Sequence, residues 1–152
     1  MALIWCYLLG MLRLTRRSEY GLMALAYLAN HPDVFCSVRE IVDDLKLPKR
    51  LLAEVLKDMS RAGLVDATRG PGGGYRLSSE PRTLPLSRVV EVLEGPVAIA
   101  DCGDDCSLQA SCLIQNGLSQ VTHSIRKVLD SMTVADLLQQ SDSVAEKAIL
   151  SV

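Results

Sequence analysis

The sequence predicts a mainly α-helical fold of the winged helix-turn-helix kind, with a small β-hairpin wing and a long C-terminal dimerisation helix. Three observations carry this. Two short amphipathic segments meet at a Leu47-Pro48 turn, and the second opens on Lys49 and Arg50. A glycine-rich turn, Arg69-Gly70-Pro71-Gly72-Gly73-Gly74, then separates two short strand-like runs. Further on, apolar residues recur with heptad spacing from Ile114 to Met132.

The 152 residues suffice for one domain and an appendage. Hydrophobic residues make up 49% and aromatics 4%, a composition suited to helix packing on Leu, Val and Ala. The net charge of −2 conceals a split. Met11 to Arg88 holds 13 Lys/Arg against 9 Asp/Glu, a net of +4, whereas Val89 to Val152 holds 3 against 9, a net of −6. A basic front and an acidic back suggest a nucleic-acid-binding module joined to something else.

Leu14 to Asn30 reads as a first helix, with Leu22, Leu25, Ala26 and Ala29 at helical spacing, Thr15 or Ser18 as cap, and Asn30-His31-Pro32 as its end. Ser37-Val38-Arg39-Glu40 is a capping box: the hydroxyl accepts an amide proton three residues on, and the carboxylate reaches back. Val38, Ile41, Val42 and Leu45 line one face of the helix it opens. Pro48 suits the first position of a third helix, which runs to about Ala62, is closed by Gly63, and offers Leu51, Leu52, Val55, Leu56 and Met59 to the core.

Leu64 to Thr68 and Tyr75 to Leu77 read as the strands of a hairpin. Glycines at its tip, Gly72 and Gly73 among them, permit a tight turn and close backbone approach to a phosphate or a narrow groove. Arg69 and Arg76 flank the tip and could reach phosphates. A phosphate-cradling P-loop is excluded, because no Gly-Lys-Ser/Thr follows. Leu86 to Leu93 forms a fourth helix, ended by Gly95-Pro96. A polar loop bearing Cys102, Cys106 and Cys112 comes next.

Ile114, Leu118, Val121, Ile125, Val128 and Met132 form the heptad stripe. A single apolar stripe outside the DNA-binding core needs a partner: another copy of the same helix is the simplest one, and packing back on its own domain is the alternative. Thr133 to Asp136 opens a short last helix through Gln139. The expected divisions are an extension over 1–10, a winged-helix domain over 11–94, a cysteine loop over 95–112, the dimerisation helix and its short successor over 113–140, and a tail over 141–152. The extension, MALIWCYLLG, lacks the flanking charges and the length of a signal or a membrane span, so the expectation is a cytoplasmic protein whose first ten residues are a poorly ordered or non-native start.

Of five cysteines, Cys6 lies in the extension and Cys36 suits a small buried hydrophobe. Three thiols within eleven residues are soft ligands that could hold an iron–sulfur cluster on one loop. Structural zinc would want four ligands, often in paired Cys-x-x-Cys spacing, which is absent. A thiol–disulfide switch is the alternative, since cysteines near a basic helix can be reactive. His31 and His123 are isolated, and no paired-carboxylate or nucleotide motif occurs, so no enzyme is expected.

LRLTRRSEYGLMAL, SVREIVDDLKLPKRLLAEVLKDMSRAGLV, RGPGGGYRL, VVEVLEGPVAIADC and MTVADLL together resemble the Rrf-two family of winged-helix transcription regulators, over nearly all of Met11 to Gln140. The resemblance implies a homodimer that reads a palindromic operator in double-stranded DNA, with the third helix in the major groove and the wing in the minor groove. Arg13, Arg16, Arg39, Lys49, Arg50, Arg69 and Tyr75, with the tip glycines, are then the DNA-facing set. It also implies a two-iron or four-iron cluster on Cys102, Cys106 and Cys112. Gln115 stands where one branch of the family places a histidine ligand, and Glu19 stands where another branch places an acidic ligand donated across the dimer. Some relatives sense without any cluster, which keeps the thiol switch open as the alternative redox sensor.

Overall fold

A computed structural model describes residues 14–100 and 111–138. Residues 1–10, Arg13, Cys102, Cys106 and the tail over 141–152 lie outside the described residues.

Helix α1 spans Arg16–Ala29 and starts from Thr15, which is extended and accepts the Ser18 amide at 3.4 Å. Of the two caps the sequence offered, Thr15 is therefore used, and Ser18 is buried inside the first turn. Helix α2 spans Val38–Leu45, and its capping box is complete: the Ser37 amide donates to Glu40 Oε2 at 2.6 Å, and the Glu40 amide donates to Ser37 Oγ at 3.2 Å. These bonds hold the Glu40 carboxyl below its usual range. Lys46, left-handed at φ 55°, ends α2 and begins the turn.

Helix α3 spans Lys49–Arg61. Pro48 precedes it in an extended conformation with ψ 116° instead of occupying its first turn, so the expected first-position proline is the cap residue. Gly63, at φ 73°, takes the left-handed position after the helix. Leu52, Val55, Leu56 and Met59 of α3 are fully buried, along with Leu25 and Leu28 of α1, Ile41 of α2, and Leu64 and Val65 beyond the turn. Each such side chain withdrawn from water contributes roughly 1.5–3 kcal/mol.

Strands β1 (Val65–Thr68) and β2 (Gly74–Leu77) pair antiparallel with Val65 opposite Leu77 and Thr68 opposite Gly74. The hairpin does not stand free. The Cys36 amide donates to the Tyr75 carbonyl at 2.9 Å, and the Tyr75 amide donates to the Cys36 carbonyl at 2.8 Å, so the segment entering α2 adds an antiparallel bridge to β2. A Cβ at Gly74 would lie 2.3 Å from the Cys36 carbonyl oxygen, so this close approach requires glycine.

A 3-10 turn over Pro81–Thr83 leads to helix α4 (Leu86–Glu94), one residue longer than expected, which ends on Gly95 at φ 89°. Helix α5 spans Gln115–Ser131. The chain then returns to the domain: the Leu86 amide donates to the Met132 carbonyl at 2.9 Å, the Val134 amide donates to the Leu84 carbonyl at 3.0 Å, and Val134 is buried. Residues 134–138 are helical, and Asp136 Oδ2 accepts both the amide and the hydroxyl of Thr133, at 2.7 and 2.8 Å. Met132, placed at the end of the heptad stripe by its spacing, instead packs against the core of its own domain with Leu129. The backbone leaves the helix at Met132, so the stripe's register stops applying there. Among the described residues no helix is long and apolar enough to cross a membrane.

Candidate nucleic-acid interface

The apolar face of α3 fixes which side chains look outward. With Leu52, Val55, Leu56 and Met59 inside, the positions left exposed are Lys49, Arg50, Glu54, Lys57 and Arg61. Lys49 and Arg50 therefore project from the amino end of α3, where unpaired amides and the helix dipole add positive potential and no acidic residue occupies the first turn. Arg50 Nε lies 3.3 Å from Glu54 Oε1, but the Arg50 side chain is 94% exposed, so this pair is weak and exchangeable. Arg39 likewise meets Asp43 at 3.6 Å on the outer face of α2. Lys57 was missed by the sequence reading; its position seven residues after Arg50 is the spacing that could have found it.

The wing sits beside this helix. Arg69 and Gly72 are exposed, and the tip closes through a Gly73 amide to Gly70 carbonyl bond of 2.9 Å. Gly70 and Gly72 have φ of 93° and 73°, and a Cβ at Gly73 would lie 2.4 Å from the Thr68 carbonyl oxygen. Apart from the exposed Pro71, the tip from Gly70 to Gly74 is glycine, so little side-chain bulk stands between its backbone and a phosphate chain. Tyr75 is half-buried and packs against the core. Arg76 does not reach toward the tip: it pairs with Asp66 at 3.3 Å and lies over the Phe35 ring at 4.6 Å from the centroid, bracing the base of the wing.

Helix α1 supports α3 from behind. Arg17 pairs with Asp58 of α3, which also takes Arg61 at 3.3 Å, and the Arg17 bond holds the Asp58 carboxyl below its usual range. Arg16, whose side chain is 68% exposed, is free to face a ligand apart from its i, i+3 contact with Glu19 at 2.9 Å. Glu19, expected as a donor to a metal, is thus held by Arg16 of its own chain. The Tyr27 hydroxyl donates to Asp44 at 2.6 Å and is pushed up to about 12 by that bond.

The two cysteines among the described residues differ in character. Cys36 is buried, and burial, reinforced by Glu40 and Asp44, pushes its thiol up, as an inert core position would have it. Cys112 is free and half-exposed immediately before α5. Among the described residues no three His, Cys, Asp or Glu side chains are grouped to hold a metal ion. On α5 no residue is buried; Ile114, Val121 and Val128 are 64%, 47% and 57% exposed, and Leu118 and Ile125 are half-buried. Beside this helix runs an apolar groove of about 490 Å³, lined by Leu14, Leu22, Val90, Ile99, Ile125 and Leu129 among others.

Two amphipathic helices across a tight turn, a basic exposed end on the second, and a glycine-tipped hairpin define a winged-helix DNA-binding protein of the transcription-regulator class. The sequence profile of the Rrf2 family, described as an iron-dependent transcriptional regulator, matches residues 14–140, and the chain belongs to this family. Its fold is similar to that of CymR of B. subtilis, described as that organism's global cysteine regulator (28% identity, 85% of this chain and 98% of that one, TM-score 0.69). It is also similar to IscR of T. potens (31% identity, 90% of this chain and 92% of that one, TM-score 0.68) and to CymR of Staphylococcus aureus (25% identity, 82% and 96%, TM-score 0.64).

Proposed function

We propose that the protein is a homodimeric regulator that reads a palindromic operator and whose DNA affinity is set by an iron–sulfur cluster on Cys102, Cys106 and Cys112. The observation that carries the DNA reading is the exposed, basic amino end of α3 beside a glycine-rich wing tip. Arg13, Arg16, Arg39, Lys49, Arg50 and Arg69 supply the positive charge, Gly72 and Gly73 the close backbone approach, and Tyr75 the anchoring of the wing. Phosphate contacts by these cations release counterions, so binding falls steeply with salt.

The dimer reading rests on α5. Ile114, Val121 and Val128 leave an apolar stripe in water, continuous through Ile125 with the apolar groove. A second copy of the same helix covers such a stripe by symmetry. Leu118 and Ile125 belong to the same contact.

The donor set suits an iron–sulfur cluster: three thiols in one short segment, of which Cys112 is free and half-exposed, with the partner subunit's Glu19 as fourth ligand once it leaves Arg16. When bound, the cluster supplies a redox-active centre sensitive to oxidants and to loss of iron. A thiol redox switch on the same cysteines is the second reading, and the existing Arg16–Glu19 pair favours it, since it leaves Glu19 already satisfied. Anaerobic purification with iron and acid-labile sulfide counted per subunit separates the two. A coloured protein bleached by Cys102→Ser, Cys106→Ser or Cys112→Ser supports the cluster. A colourless protein after anaerobic reconstitution rejects it and leaves the thiol switch.

A further inference from the structure

Glu94 is the last residue of α4 and the last before the Gly95-Pro96 turn that leads into the cysteine segment. Its carboxylate crosses to the start of the chain's other end. Oε1 accepts the Thr15 amide at 2.7 Å and the Thr15 hydroxyl at 2.8 Å, although the residues are 79 positions apart. Thr15 is the cap of α1, the helix that carries Arg16 and, through Arg17–Asp58, braces the recognition helix α3. Burial pushes the Glu94 carboxyl up, but Ser18, Thr15 and the Arg17 charge outweigh this and hold it below its usual range, so it stays ionised at neutral pH. The Ser18 hydroxyl, buried on the same first turn, contributes to that lowering.

Around this contact the packing is close. A Cβ at Gly21 of α1 would lie 2.5 Å from Leu93 of α4, so the two helices are in close contact one residue before Glu94. On the far side of the turn, the Ile99 amide donates to Thr122 Oγ1 of α5 at 3.4 Å, which ties the chain leading to the cysteines onto the exposed helix. Gly95, at φ 89°, is the point where the backbone direction changes between these two attachments.

We propose that Glu94 is a positioning residue that couples the cysteine segment to the DNA-reading helices: a change of state in that segment moves the end of α4, the carboxylate carries the displacement to Thr15, and α1 passes it to α3 through Arg17 and Asp58. This rests on the reading of the cysteine segment as the sensor. The role assigned to Glu94 is exerted through Thr15, whose amide and hydroxyl it accepts.

The test compares operator affinity of the full-length protein in two states, as isolated anaerobically with a thiol reductant and after treatment with an iron chelator and a thiol oxidant. Wild type, Glu94→Gln, Glu94→Ala and Thr15→Ala are measured side by side. Coupling between two sites in one domain spans roughly 5- to 150-fold in affinity. The expected result is that the wild-type ratio falls toward one in Glu94→Ala, and falls only partly in Glu94→Gln, which keeps one acceptor for Thr15. Hydrogen exchange at the amides of 15–18 in the metal-free protein gives a second readout, and it should speed up in Glu94→Ala. If Glu94→Ala does not fold, Glu94→Gln and Thr15→Ala carry the comparison. A wild-type ratio preserved in all three variants overturns the coupling while leaving the sensor reading intact. A ratio of one in wild type overturns the sensor reading and the coupling with it, although the hydrogen-exchange result then still reports whether Glu94 holds α1.

Discussion

At the level of single residues, the wing depends on one position without a side chain. Gly74 lies so near Cys36 that an added methyl would meet backbone, which cannot swing away. Gly74→Ala should destabilise the domain by roughly 1–3 kcal/mol through this overpacking. Urea denaturation reads the loss, and an unchanged midpoint would mean the Cys36–Tyr75 bridge is dispensable. Carboxylates set the acid behaviour. Asp136 is held below its usual range by the Thr133 amide and hydroxyl, Asp58 by Arg17, and Glu40 by Ser37. A carboxyl whose pKa is lower folded than unfolded contributes stability above the unfolded value of about 4, and that contribution disappears as pH falls through the folded value. Stability should therefore drop between pH 5 and pH 3, to order of magnitude, with carboxylate protonation. Asp136→Asn should narrow the difference between urea midpoints measured at pH 7 and pH 3. An unchanged difference would assign the acid sensitivity to the other carboxylates.

At the level of elements, α3 has two jobs on two faces. Its buried face sets its position, so replacing Val55 or Leu56 tests folding rather than recognition. Its exposed face is free of that constraint. Lys49→Ala and Arg50→Ala should leave the thermal midpoint nearly unchanged, since Arg50 is paired only with a half-exposed Glu54 across solvent. Each should weaken operator binding and lower the salt slope by about 1 if it contacts a phosphate. Titration of a labelled operator at several salt concentrations checks this, and an unaltered slope in both variants would move the interface elsewhere. Lys57, on the same face, belongs in that series. The elements themselves were legible in the sequence to within a residue or two. Their ends are written in local chemistry: Thr15, the Ser37–Glu40 box and Gly63 each act within four residues of where they stand.

At the level of the whole molecule, α5 is the unfinished part. It packs on its own domain through Leu129, and Met132 follows it into the core, while Ile114, Val121 and Val128 remain in water. If the proposed dimer forms through α5, Val121→Asp should leave a monomer without unfolding the subunit, because Val121 is already 47% exposed in the single subunit. Sedimentation velocity would show the smaller species, and circular dichroism would show retained helix. A Val121→Asp protein that still sediments as a dimer would place the subunit contact on another surface. Loss of the dimer should also lower operator affinity, since two linked heads gain from high effective concentration at a palindrome.

Sequence alone determined whatever depends on short range. Helical period, capping pairs, the glycine turn and the basic start of α3 each follow from residues within about one turn of one another, and they were enough for the winged helix-turn-helix fold. Tertiary structure decided what depends on distant residues meeting. Arg76, which by position could have served the wing tip, is turned to Asp66 and Phe35. Met132 leaves the heptad for the core because the chain must return past Leu86. Arg17 finds Asp58 41 positions away, and Glu94 finds Thr15 79 positions away. No periodicity encodes such pairs: a side chain's partner is fixed only after the core has set where each helix lies, and the polar contacts then form among whatever groups the apolar packing has brought within reach.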